Sequence, residues 1–323
     1  MTIPELYNVC MANPATQFVM LTGLHPSSLF INKPENLTVK GVDLKNYKGA
    51  GGMRRLLNEV LKEHKIDLYI DLHDVIRTKL LRLFSFFKGI RSYKLRKGRS
   101  GKSSLTRKNH KVLLQLKPTM CRYREAFQRA GLQTGDFFKT LFPPGAAVPA
   151  LPFEKREGEK WLAVAPFAKH PGKIYPPEQM EEVIAHYAER GHHRIFVFGY
   201  GEVESEIIRR WSEKWPDVVN MAGMSLGLPA ELVLLKECDV MVSMDSANMH
   251  FASLVGLRTV SIWGATHPFA GFMGWNQSPE DVVQLDMTCR PCSVFGNKPC
   301  IRGDYHCLRG ISPQLIIDKI DGK

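Results

Sequence analysis

Residues 239–264 read DVMVSMDSANMHFASLVGLRTVSIWG, and the fold class turns on how this stretch is parsed. A near-continuous apolar run from Val240 stops at Asp245. Small and polar residues follow, then helical spacing of apolar side chains to Val255, Gly256, and a second apolar run from Thr259. Strand, tight turn, short helix and strand make one β-α-β unit. Strands that are apolar almost throughout, rather than alternating, belong to parallel sheets covered on both faces. The class is α/β.

The same alternation runs back through the second half. WLAVAP (161–166), RIFVFG (194–199) and VVNMAG (218–223) read as strands. PPEQMEEVIAHYAERG (176–191) has Pro in its first turn and Gly just past its end, the expected helix asymmetry. GEVESEIIRRWSEKW and LPAELVLLKEC are further helices, and SPQLIIDKI ends the chain with Ser312 as N-cap. In the first half QFVMLT (17–22) and DLYIDL (67–72) read as strands. MRRLLNEVLKEH (53–64) and stretches near 75–87 and 121–130 read as helices. FPPGAAVPALP (142–152), with four prolines, reads as a linker between domains spanning 1–152 and 153–323. The expectation is two Rossmann-like domains facing across a cleft.

The chain has 323 residues, which suits two domains, and 44 Lys and Arg against 32 Asp and Glu, a net charge of +12. That charge points to an anionic partner without choosing among nucleic acid, membrane surface and phosphorylated substrate. Between Arg77 and Lys111 stand thirteen basic residues and no acidic one. The densest part, rich in Gly and Ser, reads as a basic loop, either merely solvated or capturing phosphates and sugar acids. Arg77, Arg96, Lys97 and Arg99 are its candidate acceptor contacts. Aromatic stacking partners for single-stranded RNA are sparse there. No signal-peptide pattern and no long apolar span occur, which makes the cytoplasm the expected compartment. Seven cysteines do not signal a secreted disulfide scaffold.

Site chemistry centres on Asp245. In an open parallel sheet the ligand crevice lies at the carboxyl ends of the strands, and exposed N–H groups at a helix start suit a diphosphate. Ser246 and Ala247 let backbone approach closely, and His250 lies one turn in. The plainer reading is that Asp245 and Ser246 only cap the helix.

These segments resemble the ADP-heptose:LPS heptosyltransferase family, whose donor motif is D-[ST]-G-x-x-H at a strand end. PFAKHPGKIYPPEQM is similar to its lysine loop, FGYGEVESE to its Gly-rich turn with a following Glu, and IWGATHPF to its G-P-T-[DH]-P loop. NMAGMSLGLPAELVLL resembles the segment beside the nucleotide base, and DLYIDLHDVIRTKLL the D-L-Q-G-x-x-R-S stretch. The resemblance implies a GT-B fold and an inverting transferase without a metal or other cofactor. It implies an ADP-sugar donor, the inner core of lipopolysaccharide as acceptor, no nucleic acid partner, and work at the inner membrane surface. It places Lys173 on the leaving diphosphate, and Asp245, Ser246, Ala247 and His250 around diphosphate and sugar. Glu204, or Glu202 if the turn is shifted, would take the ribose, and Met221 the base.

The sequence departs from the family at Ala247, where members carry Gly, and at its start. MTIPEL resembles the helix after the family's opening strand and Gly-Asp loop, so the proposed general base is not in the sequence. Either the start codon lies upstream of Met1, or this is an impaired relative that binds a nucleotide sugar and transfers it slowly. An RNA-binding protein is the remaining alternative. Cys289, Cys292, Cys300 and Cys307 could hold one structural zinc or remain free thiols. Asp71, His73 and Asp74 read as a strand end and helix start rather than a metal site.

Overall fold

A computed structural model describes residues 1–323. The chain forms two compact units, Met1–Lys97 with Thr119–Leu141, and Gly98–Pro118 with Phe142–Lys323. The change of unit at Phe142 falls at the start of the proline-rich run, eleven residues before the second domain was expected to begin at 153. A further difference is residues 98–118, which belong to the second unit. Leu116 N–H donates to the Phe269 carbonyl at 2.9 Å. Lys111 Nζ donates to the Cys289 carbonyl at 2.7 Å, and Lys102 Nζ sits 4.1 Å from the Phe272 ring centroid.

The first unit has four strands, β1 (Phe18–Gly23), β2 (Leu37–Val42), β3 (Leu68–Asp71) and β4 (Arg91–Lys94). They form two parallel pairs, β1 with β2 and β3 with β4. Both pairs share one apolar cluster. Val42 joins Met53, Leu56, Leu57 and Val60 of helix Gly49–Glu63 and Leu81 of helix Ile76–Phe87, with Leu21 and Tyr69 packed against them. Helix Ile3–Ala12 buries Ile3 to Cys10, including Glu5, whose carboxylate accepts from Arg124 at 2.9 and 3.1 Å.

The region expected to be a basic loop is not one. Tyr93 and its neighbours form β4, and Arg99–Leu105 is a helix with Leu105 fully buried.

The second unit holds a six-stranded, all-parallel sheet in the order β10-β9-β8-β5-β6-β7. Its strands are β5 (Lys160–Ala165), β6 (His193–Val197), β7 (Val218–Asn220), β8 (Val240–Met244), β9 (Thr259–Ile262) and β10 (Val282–Val283). The apolar runs read from the sequence are buried as that reading requires: Val164, Ile195, Val242 and Val260 are all fully buried. Chain direction across the sheet reverses between β5 and β8. From β5 the chain steps to β6 and β7, then returns to β8 on the other side and continues to β9 and β10. Such a reversal leaves a crevice at the strands' carboxyl ends, where open α/β sheets bind ligands.

Candidate functional site

Two of the residues singled out from sequence, Lys173 and Asp245, meet at that reversal point. β5 runs into a loop ending in the short turn Pro171–Lys173, and β8 ends at Met244, directly before Asp245. Lys173 Nζ lies 2.8 Å from Asp245 Oδ2 and donates to the Asp245 carbonyl at 3.0 Å. Their side chains are 16% and 5% exposed. The contact with Oδ2 is an ion pair without an aligned hydrogen bond. Asp245 therefore holds a half-buried lysine in place while leaving the ammonium only partly satisfied.

Close packing sets this lysine. A Cβ on Gly172 would come within 2.8 Å of the Gly296 carbonyl and 2.9 Å of Ala265 Cβ. Gly296 has φ +75°, and a Cβ there would press on Lys173 Cγ at 2.6 Å. Glycine is required at 296 on both counts. Ala265 N–H donates to the Gly172 carbonyl at 2.8 Å, joining the loops after β5 and β9.

Helix Ala247–Val255 begins one residue beyond Asp245, after Ser246. Ser246 is its N-cap in extended backbone, yet no side chain caps the helix. The Ser246 hydroxyl instead lies 3.3 Å from that of Ser243. Capping alone does not account for Asp245 and Ser246, and the first N–H groups stay available to an anion. Ala247 is exposed, so its methyl crowds nothing in the protein.

His250 keeps some exposure as a residue, but its Nδ1 is out of solvent and without a partner. Burial, with the Lys173 charge added, lowers its pKa to about 3. The ring is neutral in the unliganded site and offers a hydrogen bond, not a charge.

Of the two glutamates in the turn after β6, Glu204 is held in place: its Oε2 accepts the Tyr200 N–H at 2.7 Å. Glu202 is exposed at the helix start. Met221, after β7, is 4% exposed, the ordinary core outcome for methionine.

Three features carried no role in the sequence reading. Thr266, after β9, is fully buried with its hydroxyl unpartnered. Tyr200 is 92% exposed beside Glu204. Arg290 is 3% exposed and donates to the carbonyls of Trp263, Gly264, Thr266 and Leu285 and to Gln284 Oε1. It ties the cysteine-bearing segment to the loop after β9. Their sequence signals were the motif loop IWGATHPF, the Gly-rich turn FGYGEVESE and the C-R-P-C setting.

Arg77 and Arg96 are exposed on the first unit, and Lys97 donates to the Asp74 carbonyl at 3.1 Å. Arg99 stands on the second unit, so the four candidate acceptor contacts do not share one unit. Asp43 follows β2 and caps a 3-10 turn by accepting the Lys45 N–H at 3.0 Å. Asp71 Oδ1 accepts the N–H groups of His73 and Asp74, and Arg82 approaches both carboxylates at 3.6–3.7 Å, which makes DLHD a charged turn.

Cys289, Cys292, Cys300 and Cys307 line one small cavity as free thiols. Burial raises the Cys292 pKa and pushes Cys307 up to about 11, keeping both protonated. No three His, Cys, Asp or Glu side chains are arranged to hold a metal ion, so the geometry lends no support to zinc there.

Buried histidines give the fold a pH dependence. Burial lowers His193 and His267 to about 4, and His250 to about 3. Unfolded histidines bind protons from about pH 6.5 downward. Between there and about pH 4 the unfolded state holds more protons, so stability falls as pH falls. Thermal melts should drop steadily from pH 7 to 4.5, and His193→Leu should flatten that slope. A melting temperature constant over the interval would contradict these buried neutral rings.

The arrangement is a Rossmann-like unit with a lysine and an uncapped helix start together at its switch point. Residues 54–301 match the family model for glycosyltransferase family 9 (heptosyltransferase), and the chain belongs to this family. It is a glycosyltransferase. Lipooligosaccharide heptosyltransferase 2 from two strains of Campylobacter jejuni is 24% identical over 99% of this chain and 92–93% of theirs. A family 9 glycosyltransferase from Veillonella parvula superposes with a TM-score of 0.72 at 16% identity, covering 99% of this chain and 92% of that one. Escherichia coli heptosyltransferase WaaC, solved with ADP, gives 0.67 at 16% identity over 99% and 94%. The fold is GT-B.

Proposed function

We propose that this protein transfers a heptose from an ADP-linked donor to the inner core of lipopolysaccharide or lipooligosaccharide, with inversion. The observation that carries this is the Lys173–Asp245 pair beside the uncapped start of helix Ala247–Val255, at the sheet's reversal point, in a family 9 chain. The names of its relatives supply heptose and acceptor. The diphosphate would take the free N–H groups of the helix start and the Lys173 ammonium. His250 and the Thr266 hydroxyl would add neutral hydrogen bonds. Glu204 Oε1 would accept from the ribose, and Tyr200 offers the exposed ring for the base that buried Met221 does not.

Chemistry on this reading is one displacement. An acceptor hydroxyl attacks the anomeric carbon and loses its proton to solvent water, the bond to the diphosphate breaks, and ADP leaves with the electron pair. A single displacement inverts the carbon. Lys173 stabilises the charge that grows on the leaving oxygen, an interaction stronger in the transition state than before it.

A second reading, a nucleotide-sugar binder with slow transfer, is favoured by the engagement of acids in the first unit. Glu5 is paired with Arg124, Asp43 caps a turn, and Asp71 is buried beside Arg82. Incubation with ADP-heptose and a heptose-deficient core acceptor, read by mass spectrometry, separates the two. Acceptor heavier by one heptose, with matching ADP release, supports the transferase. Bound donor with unmodified acceptor supports the binder.

A further inference from the structure

We infer that helix Ile76–Phe87 is a docking surface for an anionic lipid bilayer. It packs Leu81 and Ser85 inward, with Leu80 and Phe84 against the core of the first unit. Its outer face is apolar where a surface helix is ordinarily polar. Ile76 is 78% exposed, Leu83 48%, Phe86 71% and Phe87 73%. At about 100° per residue, Ile76, Leu83 and Phe87 fall within roughly 40° of one another. Phe86 flanks them and meets Phe87 edge to face with centroids 5.7 Å apart. Single exposed apolar side chains need no explanation, but four on one helix face do.

The charges around this face select the occupant. Arg77, Lys79, Lys88 and Arg91 are all exposed along its margins, and no acidic residue occurs from Arg77 to Lys111. An apolar stripe edged by cations is the pattern that lies in the headgroup layer of an anionic membrane. A second copy of this chain would bring Arg77, Lys79, Lys88 and Arg91 against the same four cations, which opposes self-association through this face. The helix has twelve residues, and no helix in the chain is long and apolar enough to cross a bilayer, so the contact is interfacial. This surface lies on the first unit and does not depend on the donor site of the second.

The test uses the full chain and no sugar substrate. It is sedimented with vesicles of phosphatidylcholine alone, or of phosphatidylcholine with phosphatidylglycerol. Binding to the mixed vesicles and little to the neutral ones is expected. Phe86→Ser with Phe87→Ser should weaken binding roughly 10- to 100-fold, because two aromatic side chains no longer enter the interface. Lys79→Glu with Lys88→Glu should lower it at least about tenfold, and only on the anionic vesicles. All four positions are exposed, so melting temperatures should hold near wild type, and the charge pair gives an independent check should the serine pair fold poorly. Equal binding by wild type and both variants would overturn the inference. So would no vesicle binding by a wild type that is dimeric and becomes monomeric with the serine pair, which would assign the face to a second copy. ADP protection is measured separately, so loss of one result leaves the other readable.

Discussion

Lys173→Ala should lose about 10- to 150-fold in ADP affinity, the equivalent of a charge-assisted hydrogen bond worth about 1.5–3 kcal/mol. The same change should destabilise the second unit. It leaves the Asp245 carboxylate, 5% exposed, without the ammonium 2.8 Å away. Breaking a buried pair by removing one partner costs about 3–5 kcal/mol. These two losses can be separated. In Lys173→Met with Asp245→Asn the buried charge disappears from both sides, so stability should return toward wild type while ADP affinity stays low. Transfer, where measurable, should fall by about 10²–10³, as for removal of a preorganised charge-stabilising group. The checks are calorimetric titration with ADP and thermal melts on the three proteins. Equal ADP affinity in wild type and Lys173→Ala would remove the lysine from the donor site. A double variant as unstable as the single one would mean the ion pair is not what the fold loses.

Arg290→Met should be among the most destabilising substitutions in the second unit. The guanidinium, 3% exposed, satisfies four backbone carbonyls and the Gln284 side chain. An apolar replacement fills much of its volume but gives those oxygens nothing to accept. At about 1–3 kcal/mol for each buried group left unsatisfied, with partial relaxation, a net cost of about 3–5 kcal/mol is expected. A unit of this size loses about 2–4 °C per kcal/mol, so the melting temperature should fall by roughly 10 °C. The loop after β9, which carries Thr266 and packs through Ala265 on Gly172, should loosen with it. ADP affinity would then drop although Arg290 itself touches no ligand. A melting point within a degree or two of wild type would show that water replaces the guanidinium.

What the sequence displayed and what it hid divide along physical lines. β8, β9 and Asp245 were legible because fully buried parallel strands are written as apolar runs, and because a strand end must meet a helix start abruptly. β2 (LTVKGV) and β4 (RSYK) were not, since each is partly exposed and carries polar residues that read as loop. The ownership of residues 98–118 rests on Lys102 against Phe272, Leu116 with Phe269 and Lys111 with Cys289, all contacts distant along the chain. No local pattern encodes them. Lys173 and Glu204 were placed by motif resemblance, and their geometry became visible only with the loops that pack on them. Arg290 stayed hidden because a buried arginine bonded to backbone oxygens has no compositional signature. The basic stretch was visible as charge, but its apolar face was not, because Ile76, Leu83 and Phe87 read equally well as core until their exposure is known.

Amide hydrogen exchange with and without ADP tests the donor site most directly. A diphosphate on the start of helix Ala247–Val255 should protect the amides of Ala247 and Asn248. The loops bearing Lys173 and Thr266 and the turn at Tyr200–Glu204 should slow with them, while strands of the first unit stay unchanged. Protection absent from residues 245–250, or strongest elsewhere in the chain, would contradict a nucleotide-sugar site at the reversal between β5 and β8.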